Sequence, residues 1–161
     1  MTQSATATAA AQALPETHIA PIHAPADNSP FPPSSEAFSI HAADVAQEGG
    51  DPTYGTVTWR TLINGTPDVP REFVLGIAEF GPHGTLLPHR HDPAEFYLGV
   101  EGAGTVTIDG VAHLIAPGVA IYVPAGAEHS VLAGPNGLRM SYGFAEGSFQ
   151  NVQYRFSAVS V

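Results

Sequence analysis

The sequence from Gly84 to Gly102 reads GTLLPHRHDPAEFYLGVEG and brings four polar side chains together in a short stretch. His89 and His91 are two residues apart, and Glu95 and Tyr97 repeat that spacing after a break. Because successive side chains of a strand point to opposite faces, each pair lies on one side. The pattern predicts two neighbouring strands whose polar pairs meet. Two imidazoles and one carboxylate form a ligand set for a divalent transition metal.

A second patterned stretch supplies the fourth candidate ligand, His129. Residues 118–129 read GVAIYVPAGAEH. Together the two stretches resemble the two motifs of the cupin superfamily. The first motif, His-x-His-x3-Glu-x6-Gly, is matched by His89, His91, Glu95 and Gly102. The second, Gly-x5-Pro-x-Gly-x2-His, is matched by Gly118, Pro124, Gly126 and His129. One departure is Ala133, where the family has an Asn that is not a metal ligand.

The resemblance covers residues 54–157 and implies an all-β fold, a small single-domain cupin jelly-roll barrel also described as a double-stranded β-helix. It implies a metal held inside the barrel with open coordination positions. The residue pattern agrees, because short strands separated by frequent turns favour a sandwich or barrel. We expect strands over 56–63, 73–80, 104–108, 111–115, 119–123, 130–132, 138–144 and 152–157. Residues 134–137 (GPNG) are expected to form a turn.

The chain divides into two parts by composition. Residues 1–35 are of low complexity and rich in proline, which predicts an irregular arm. Residues 36–161 are expected to form the barrel domain. Between them, residues 35–47 (SEAFSIHAADVAQ) predict a short helix that Gly49-Gly50 would end.

Charge and composition limit the partners. The formal net charge is −10, from 5 basic and 15 acidic residues, and this disfavours nucleic acid and anionic membranes. A neutral or small zwitterionic substrate, or a small metal-bound ligand, fits better. No cysteine is present, which is consistent with a reducing compartment. No secretory signal or membrane span is apparent, so we expect a cytoplasmic protein that is a monomer or a homodimer.

Tyr97 is the candidate catalytic residue. It lies two positions beyond Glu95, so its ring faces the same side as the predicted metal. A nearby cation lowers the pKa of a phenol, which would allow Tyr97 to act as a general base. Further aromatic side chains are expected to line the substrate pocket and to hold a compact organic cation against their faces; these are Trp59, Tyr122, Tyr142 and Tyr154.

Glu95-Phe96-Tyr97 places a tyrosine two residues after the ligand glutamate, as in the cupin-type dimethylsulfoniopropionate (DMSP) lyases of marine bacteria. The stretches FVLGIAEFGPHGTLLPHRH and FQNVQY add to this resemblance. It implies metal-dependent cleavage of DMSP to dimethyl sulfide and acrylate by a tyrosine-assisted β-elimination. The expected cofactor is one divalent transition metal, first Fe(II), with Mn(II), Zn(II), Ni(II) and Co(II) as alternatives.

Two other classes use the same scaffold. An Fe(II) dioxygenase has the same three-histidine, one-glutamate ligand set and consumes oxygen, whereas a lyase works without it. A non-catalytic ligand-binding cupin needs no complete ligand set. The sequence alone leaves these alternatives open.

Overall fold

The computed structural model describes residues 36–157 and the backbone of a short strand at residues 17–18. The described residues form ten strands and two single 3₁₀ turns, at Ala42–Asp44 and Phe149–Asn151. The strands are β1 (Thr17–His18), β2 (Glu48–Gly49), β3 (Thr58–Ile63), β4 (Val74–Phe80), β5 (Thr85–Arg90), β6 (Glu95–Ile108), β7 (Val111–Ile115), β8 (Ala120–Val123), β9 (His129–Phe144) and β10 (Arg155–Phe156). The all-β prediction is confirmed.

The two longest strands, β6 and β9, organise the sheet. They pair with each other along most of their lengths in antiparallel register. On its other side β9 pairs first with β5 and then with β4, whereas β6 pairs with β8 and then with β7. The remaining strands extend the sheet in the order β1-β10-β5 at one side and β4-β3-β2 at the other. The sheet therefore curls around one interior, as a jelly-roll barrel does.

Alternation of side chains along β4 and β6 builds much of the interior. Along β4 every second residue is buried, from Val74 to Phe80, and the first half of β6 follows the same pattern. Inward residues include Tyr97 of β6 and Met140 of β9, both about 1% exposed. A one-residue shift in register would exchange the inward and outward sets, so the alternation fixes how the strands pair.

A tight hairpin joins β6 to β7 at Asp109-Gly110, as the Asp-Gly sequence predicts. Both residues have positive φ, 46° for Asp109 and 80° for Gly110. Positive φ at both central positions defines the turn type that matches the twist of antiparallel strands. The Asp109 carboxylate also accepts a hydrogen bond from the Glu128 backbone N–H at 3.0 Å. The turn therefore lies against the start of β9.

Two local predictions are wrong. The helix expected over 35–47 is reduced, within the described residues, to the 3₁₀ turn Ala42–Asp44, which the His41 ring caps by accepting from the Ala43 N–H at 3.1 Å. Residues 36–41 before this turn and residues 45–47 after it are irregular, and a single turn is too short to form a stable helix. The turn expected at 134–137 does not reverse the chain. Residues before and after it both pair with β6, so β9 continues through a bulge.

The predicted arm over 1–35 lies outside the described residues except for the backbone of β1, which pairs with β10. The boundary at residue 35 therefore stays a prediction. In the part of the chain that the structure describes, helices are too short to cross a membrane.

Candidate metal centre

Strand pairing brings the four predicted ligands together. His89 near the end of β5 pairs directly with His129 at the start of β9, and their ring centroids are 4.1 Å apart. His91 follows β5 by one residue, and Glu95 begins β6. All four side chains are buried, with relative exposures of 0–4%. Such a cluster of polar groups needs partners within the protein, since burying an unpaired polar group is costly.

The three histidine rings are oriented by backbone carbonyls. The Nδ1 atoms of His89, His91 and His129 lie 2.8, 2.8 and 2.9 Å from the carbonyl oxygens of Leu87, Pro93 and Ala127, respectively. A carbonyl oxygen only accepts hydrogen bonds, so each Nδ1 carries a proton. Each Nε2 is then free to present a lone pair, and these atoms lie within 4.8 Å of one another. This is the arrangement by which outer hydrogen bonds orient metal-binding histidines.

Glu95 completes the set. Its Oε2 lies 3.1 Å from His91 Nε2 and 3.3 Å from His129 Nε2. The buried Nε2 of His89 has no hydrogen-bond partner among the described residues. A carboxylate oxygen and an imidazole nitrogen at these distances need a proton or a metal cation between them, because their lone pairs repel each other. The residues therefore fit a divalent metal ion, for which three nitrogens and one oxygen are suitable donors.

The protonation states favour metal binding. Burial raises the pKa of Glu95, but the contacts with His129 and His91 outweigh burial and lower that pKa to about 2. Burial lowers the pKa of His89 well below its usual 6.5, and the neighbouring His129 and His91 lower it further. Glu95 is thus a carboxylate and His89 a neutral imidazole at neutral pH, and these are the forms that bind metals.

Tyr97 lies directly beside the cluster. Its hydroxyl donates a hydrogen bond of 2.8 Å to Glu95 Oε2, and its side chain is buried. Burial raises the pKa of Tyr97 well above 10, and the charge of Glu95 raises it further. The phenol is therefore neutral in this arrangement. The structure places the predicted base at the site, whereas its role as a base stays a prediction.

A narrow cavity opens next to Glu95 and Tyr97. It leaves about 30 Å³ in which the centre of a water molecule can move. Its walls are mostly aromatic and aliphatic, and Glu95 is the one charged residue among them. The lining residues are Tyr54, Val57, Trp59, Ala78, Leu86, Glu95, Tyr97, Met140, Tyr142, Phe149, Tyr154 and Phe156.

Three of the four predicted pocket aromatics, Trp59, Tyr142 and Tyr154, line this cavity. The Tyr142 hydroxyl lies 2.9 Å from Thr61 Oγ1, and the Tyr154 ring stacks on His89 with centroids 5.0 Å apart. The prediction for Tyr122 is wrong. Its neighbour Ile121 takes the inward position opposite Tyr97, so Tyr122 points outward and is 68% exposed.

Sequence reasoning missed three aromatic residues of the cavity, Tyr54, Phe149 and Phe156. Tyr54 precedes β3 in an irregular segment, and Phe149 lies in a 3₁₀ turn. Neither position has a strand alternation that would indicate which way its side chain points. No signal in the sequence identifies Tyr54. Phe149 begins the FQNVQY stretch that carried part of the family resemblance.

Comparison with known proteins agrees with the site. The cupin domain family matches residues 76–139, which include all four candidate ligands. The dimethylsulfoniopropionate lyase DddW of Ruegeria pomeroyi is 59% identical over 138 residues, covering 85% of this chain and 88% of that protein. This chain belongs to the cupin dimethylsulfoniopropionate lyase family.

Solved structures place this family member in the wider cupin fold. The polyketide cyclase RemF of Streptomyces resistomycificus superposes with a TM-score of 0.64 and 27% identity, over 78% of this chain and 88% of its own. An RmlC-like cupin of Shewanella frigidimarina superposes with a TM-score of 0.56 and 23% identity, over 71% of this chain and 93% of its own. The second likeness concerns the fold alone. The expected cupin barrel is confirmed.

Proposed function

We propose that the His-Glu cluster, Tyr97 and the adjoining cavity form the active site of a carbon–sulfur lyase that cleaves DMSP to dimethyl sulfide and acrylate. The observation that carries the proposal is the contact between Tyr97 and Glu95 on the wall of an aromatic cavity. The 59% identity to a DMSP lyase supports the same reaction and substrate.

The four ligands proposed for the metal are His89, His91, Glu95 and His129. Fe(II) is the proposed ion, and Mn(II), Zn(II), Ni(II) and Co(II) accept the same donors. A divalent ion held there supplies Lewis-acid chemistry toward the substrate carboxylate and adds positive charge near Tyr97. The backbone carbonyls that fix the three histidine rings keep these donors preorganised.

The elimination itself is assigned to Tyr97. As phenolate, Tyr97 removes a proton from the carbon next to the substrate carboxylate. The electron pair of that C–H bond forms the carbon–carbon double bond, and the C–S bond breaks. Dimethyl sulfide leaves with the electron pair of the broken bond, acrylate remains, and the proton stays on Tyr97. No oxidant or reductant is consumed.

The phenolate form needs positive charge close by, because burial and Glu95 both raise the pKa of Tyr97. The sulfonium group of the substrate brings such charge into the cavity. The cavity walls suit that group, since aromatic faces attract organic cations. Among the described residues, no Lys or Arg lines the cavity to repel it. Substrate binding thus favours the protonation state that the reaction requires.

The test is headspace gas chromatography of dimethyl sulfide from DMSP. The purified protein is stripped of metal, reloaded with each of the five ions in turn, and assayed with and without oxygen. Metal-dependent release under both atmospheres is the expected result. If no ion supports release, the lyase proposal is wrong. Oxygen uptake in that case would favour the dioxygenase alternative.

A further inference from the structure

The mouth of the cavity lies at Tyr54. Every residue that lines the cavity is buried except Tyr54 and Leu86, which are partly exposed. Leu86 belongs to β5, whereas Tyr54 sits in the irregular segment before β3. Tyr54 and Leu86 therefore form the rim of the cavity, and the Tyr54 ring is the aromatic part of that rim.

The cavity leaves little free space between its walls, because the centre of a water molecule can move through only about 30 Å³. DMSP carries a carboxylate, two methylenes and a dimethylsulfonium group, so it would contact the walls on most sides. A side chain at the mouth therefore influences how the substrate enters and how it is held.

Hydrogen bonds limit which part of this segment moves. The Tyr54 carbonyl accepts from the Leu87 N–H at 2.8 Å, and the Tyr54 N–H donates to the Asp51 carbonyl at 3.0 Å. Next to it, Gly55 bridges to Leu86 of β5. The backbone is thus attached to the strand that carries His89. Opening by rotation of the Tyr54 side chain costs none of these bonds, and such rotations are fast at partly exposed positions.

When the ring is closed it contributes an aromatic face. Its centroid lies 5.9 Å from that of Trp59 at an interplanar angle of 63°, and 5.6 Å from that of Phe156 at 36°. Three rings at different angles form a corner, which is the geometry that holds a compact organic cation. The sulfonium is the cationic end of the proposed substrate. A neutral ligand of the same shape gains only the apolar contact.

Resting on the proposed function, we propose that Tyr54 is a specificity-determining residue that closes the cavity and binds the sulfonium through its ring face. The hydroxyl is not required, because the attraction comes from the ring. Tyr54→Phe keeps a ring that can close the cavity and bind the sulfonium. Tyr54→Leu keeps an apolar side chain at the mouth but removes the aromatic face. Tyr122→Leu is the matched control, because Tyr122 is exposed and outside the cavity.

The first measurement compares a cationic and a neutral ligand on the metal-loaded protein. KM is measured for DMSP, and the inhibition constant for 4-methylpentanoate, which replaces the sulfonium sulfur by a CH group. Tyr54→Leu should raise KM for DMSP by about 3- to 30-fold. It should change the inhibition constant of the neutral acid by less than about 2-fold. Tyr54→Phe and Tyr122→Leu should leave both constants unchanged. Equal losses for both ligands, or no loss for either, would overturn the assignment of the sulfonium to Tyr54.

The second measurement tests closure without any turnover. Trp59 is the only tryptophan of the chain, so its fluorescence reports on this cavity alone. Quenching by succinimide is measured on the zinc-loaded protein. Tyr54→Ala should increase the quenching constant about 2-fold or more, whereas Tyr54→Phe and Tyr122→Ala should not. An unchanged constant in Tyr54→Ala, with native circular dichroism, would show that Tyr54 does not close the mouth.

The two proposals fail in different ways. If the wild-type protein releases no dimethyl sulfide with any ion, the lyase function is wrong, and the quenching result still decides whether Tyr54 closes the mouth. If the wild type is active and Tyr54→Leu behaves as the Tyr122 control, the lyase function stands and the role of Tyr54 is rejected.

Discussion

Tyr97 and Glu95 share a hydrogen bond of 2.8 Å, and its acceptor, Glu95 Oε2, is the atom that faces His91 and His129. The proposed base and the proposed carboxylate ligand therefore meet at a single oxygen. Any positive charge held by the ligands lies within reach of the phenol. The charge at the ligands therefore affects the protonation of Tyr97. This effect acts through the hydrogen bond between Tyr97 and Glu95, which both belong to β6.

Tyr97→Phe should abolish turnover without loss of the metal. The ring still fills the buried position, and the four ligands are untouched. Removing a general base costs about 100- to 10,000-fold in rate. Dimethyl sulfide release and metal content are measured on the same sample, the metal by plasma emission spectroscopy. Tyr122→Phe is the control, because its hydroxyl is lost from an exposed position.

This prediction requires that Tyr97→Phe lowers the rate and leaves the metal content unchanged. If Tyr97→Phe keeps near-full activity, Tyr97 is not the base. If activity and metal fall together, Tyr97 acts by supporting Glu95 rather than by moving a proton.

His129→Ala should remove the metal, and with it activity. His129 Nε2 lies 3.3 Å from Glu95 Oε2, and the His129 ring centroid lies 4.1 Å from that of His89. Loss of one of the four proposed ligands would leave an incomplete set and a buried gap where the ring lay. Metal content after dialysis against a weak chelator should fall by at least about 10-fold. His113→Ala is the matched control, because His113 lies exposed on β7. Retention of metal by His129→Ala would exclude this residue as a ligand.

Much of the site could be predicted because local rules apply to it. The two-residue spacing of His89 and His91, and of Glu95 and Tyr97, places each pair on one face of a strand. Their meeting depends on long-range pairing, which the motif resemblance supplied and the spacing alone did not. The same alternation rule, applied to Ile121 and Tyr122, indicates opposite faces but not which face is inward. Tyr122 was misplaced for that reason.

The fold was less predictable where the chain leaves regular strands. Strand β9 is long because the residues before GPNG and the residues after it both pair with β6. The GPNG sequence itself indicates a turn and gives no sign that the strand continues. Tyr54 faces the cavity because Leu87 and Gly55 attach its segment to β5, a contact between distant parts of the chain. Local propensity carries no information about such contacts. The residues at the mouth of the cavity could therefore be identified only from the structure.

Gly76→Ala should displace Tyr142 in the wall of the cavity and destabilise the protein. A Cβ atom at Gly76 would lie 2.4 Å from Tyr142 Cζ, so the Tyr142 ring has to shift and its contact with Thr61 is lost. Overpacking of this kind costs about 1–3 kcal/mol, and Tm should fall by several degrees. KM for DMSP should rise as well, because Tyr142 lines the cavity. Gly81→Ala is the control, since a Cβ there meets open space. Equal melting temperatures for the two variants would contradict the prediction.

Asp109→Ala should destabilise the protein, because Asp109 has two roles at the β6–β7 hairpin. Its φ of 46° is one that alanine adopts at a cost of about 1–2 kcal/mol. Its carboxylate also accepts the Glu128 N–H at 3.0 Å, next to the start of β9. Asp109→Asn keeps both features, because asparagine tolerates positive φ and its side-chain oxygen accepts the same bond. Thermal unfolding should therefore show a Tm lowered by several degrees for the alanine variant and nearly unchanged for the asparagine variant. If the two variants have the same Tm, neither the backbone conformation of Asp109 nor its bond to Glu128 contributes to stability. The hairpin would then be held by strand pairing alone.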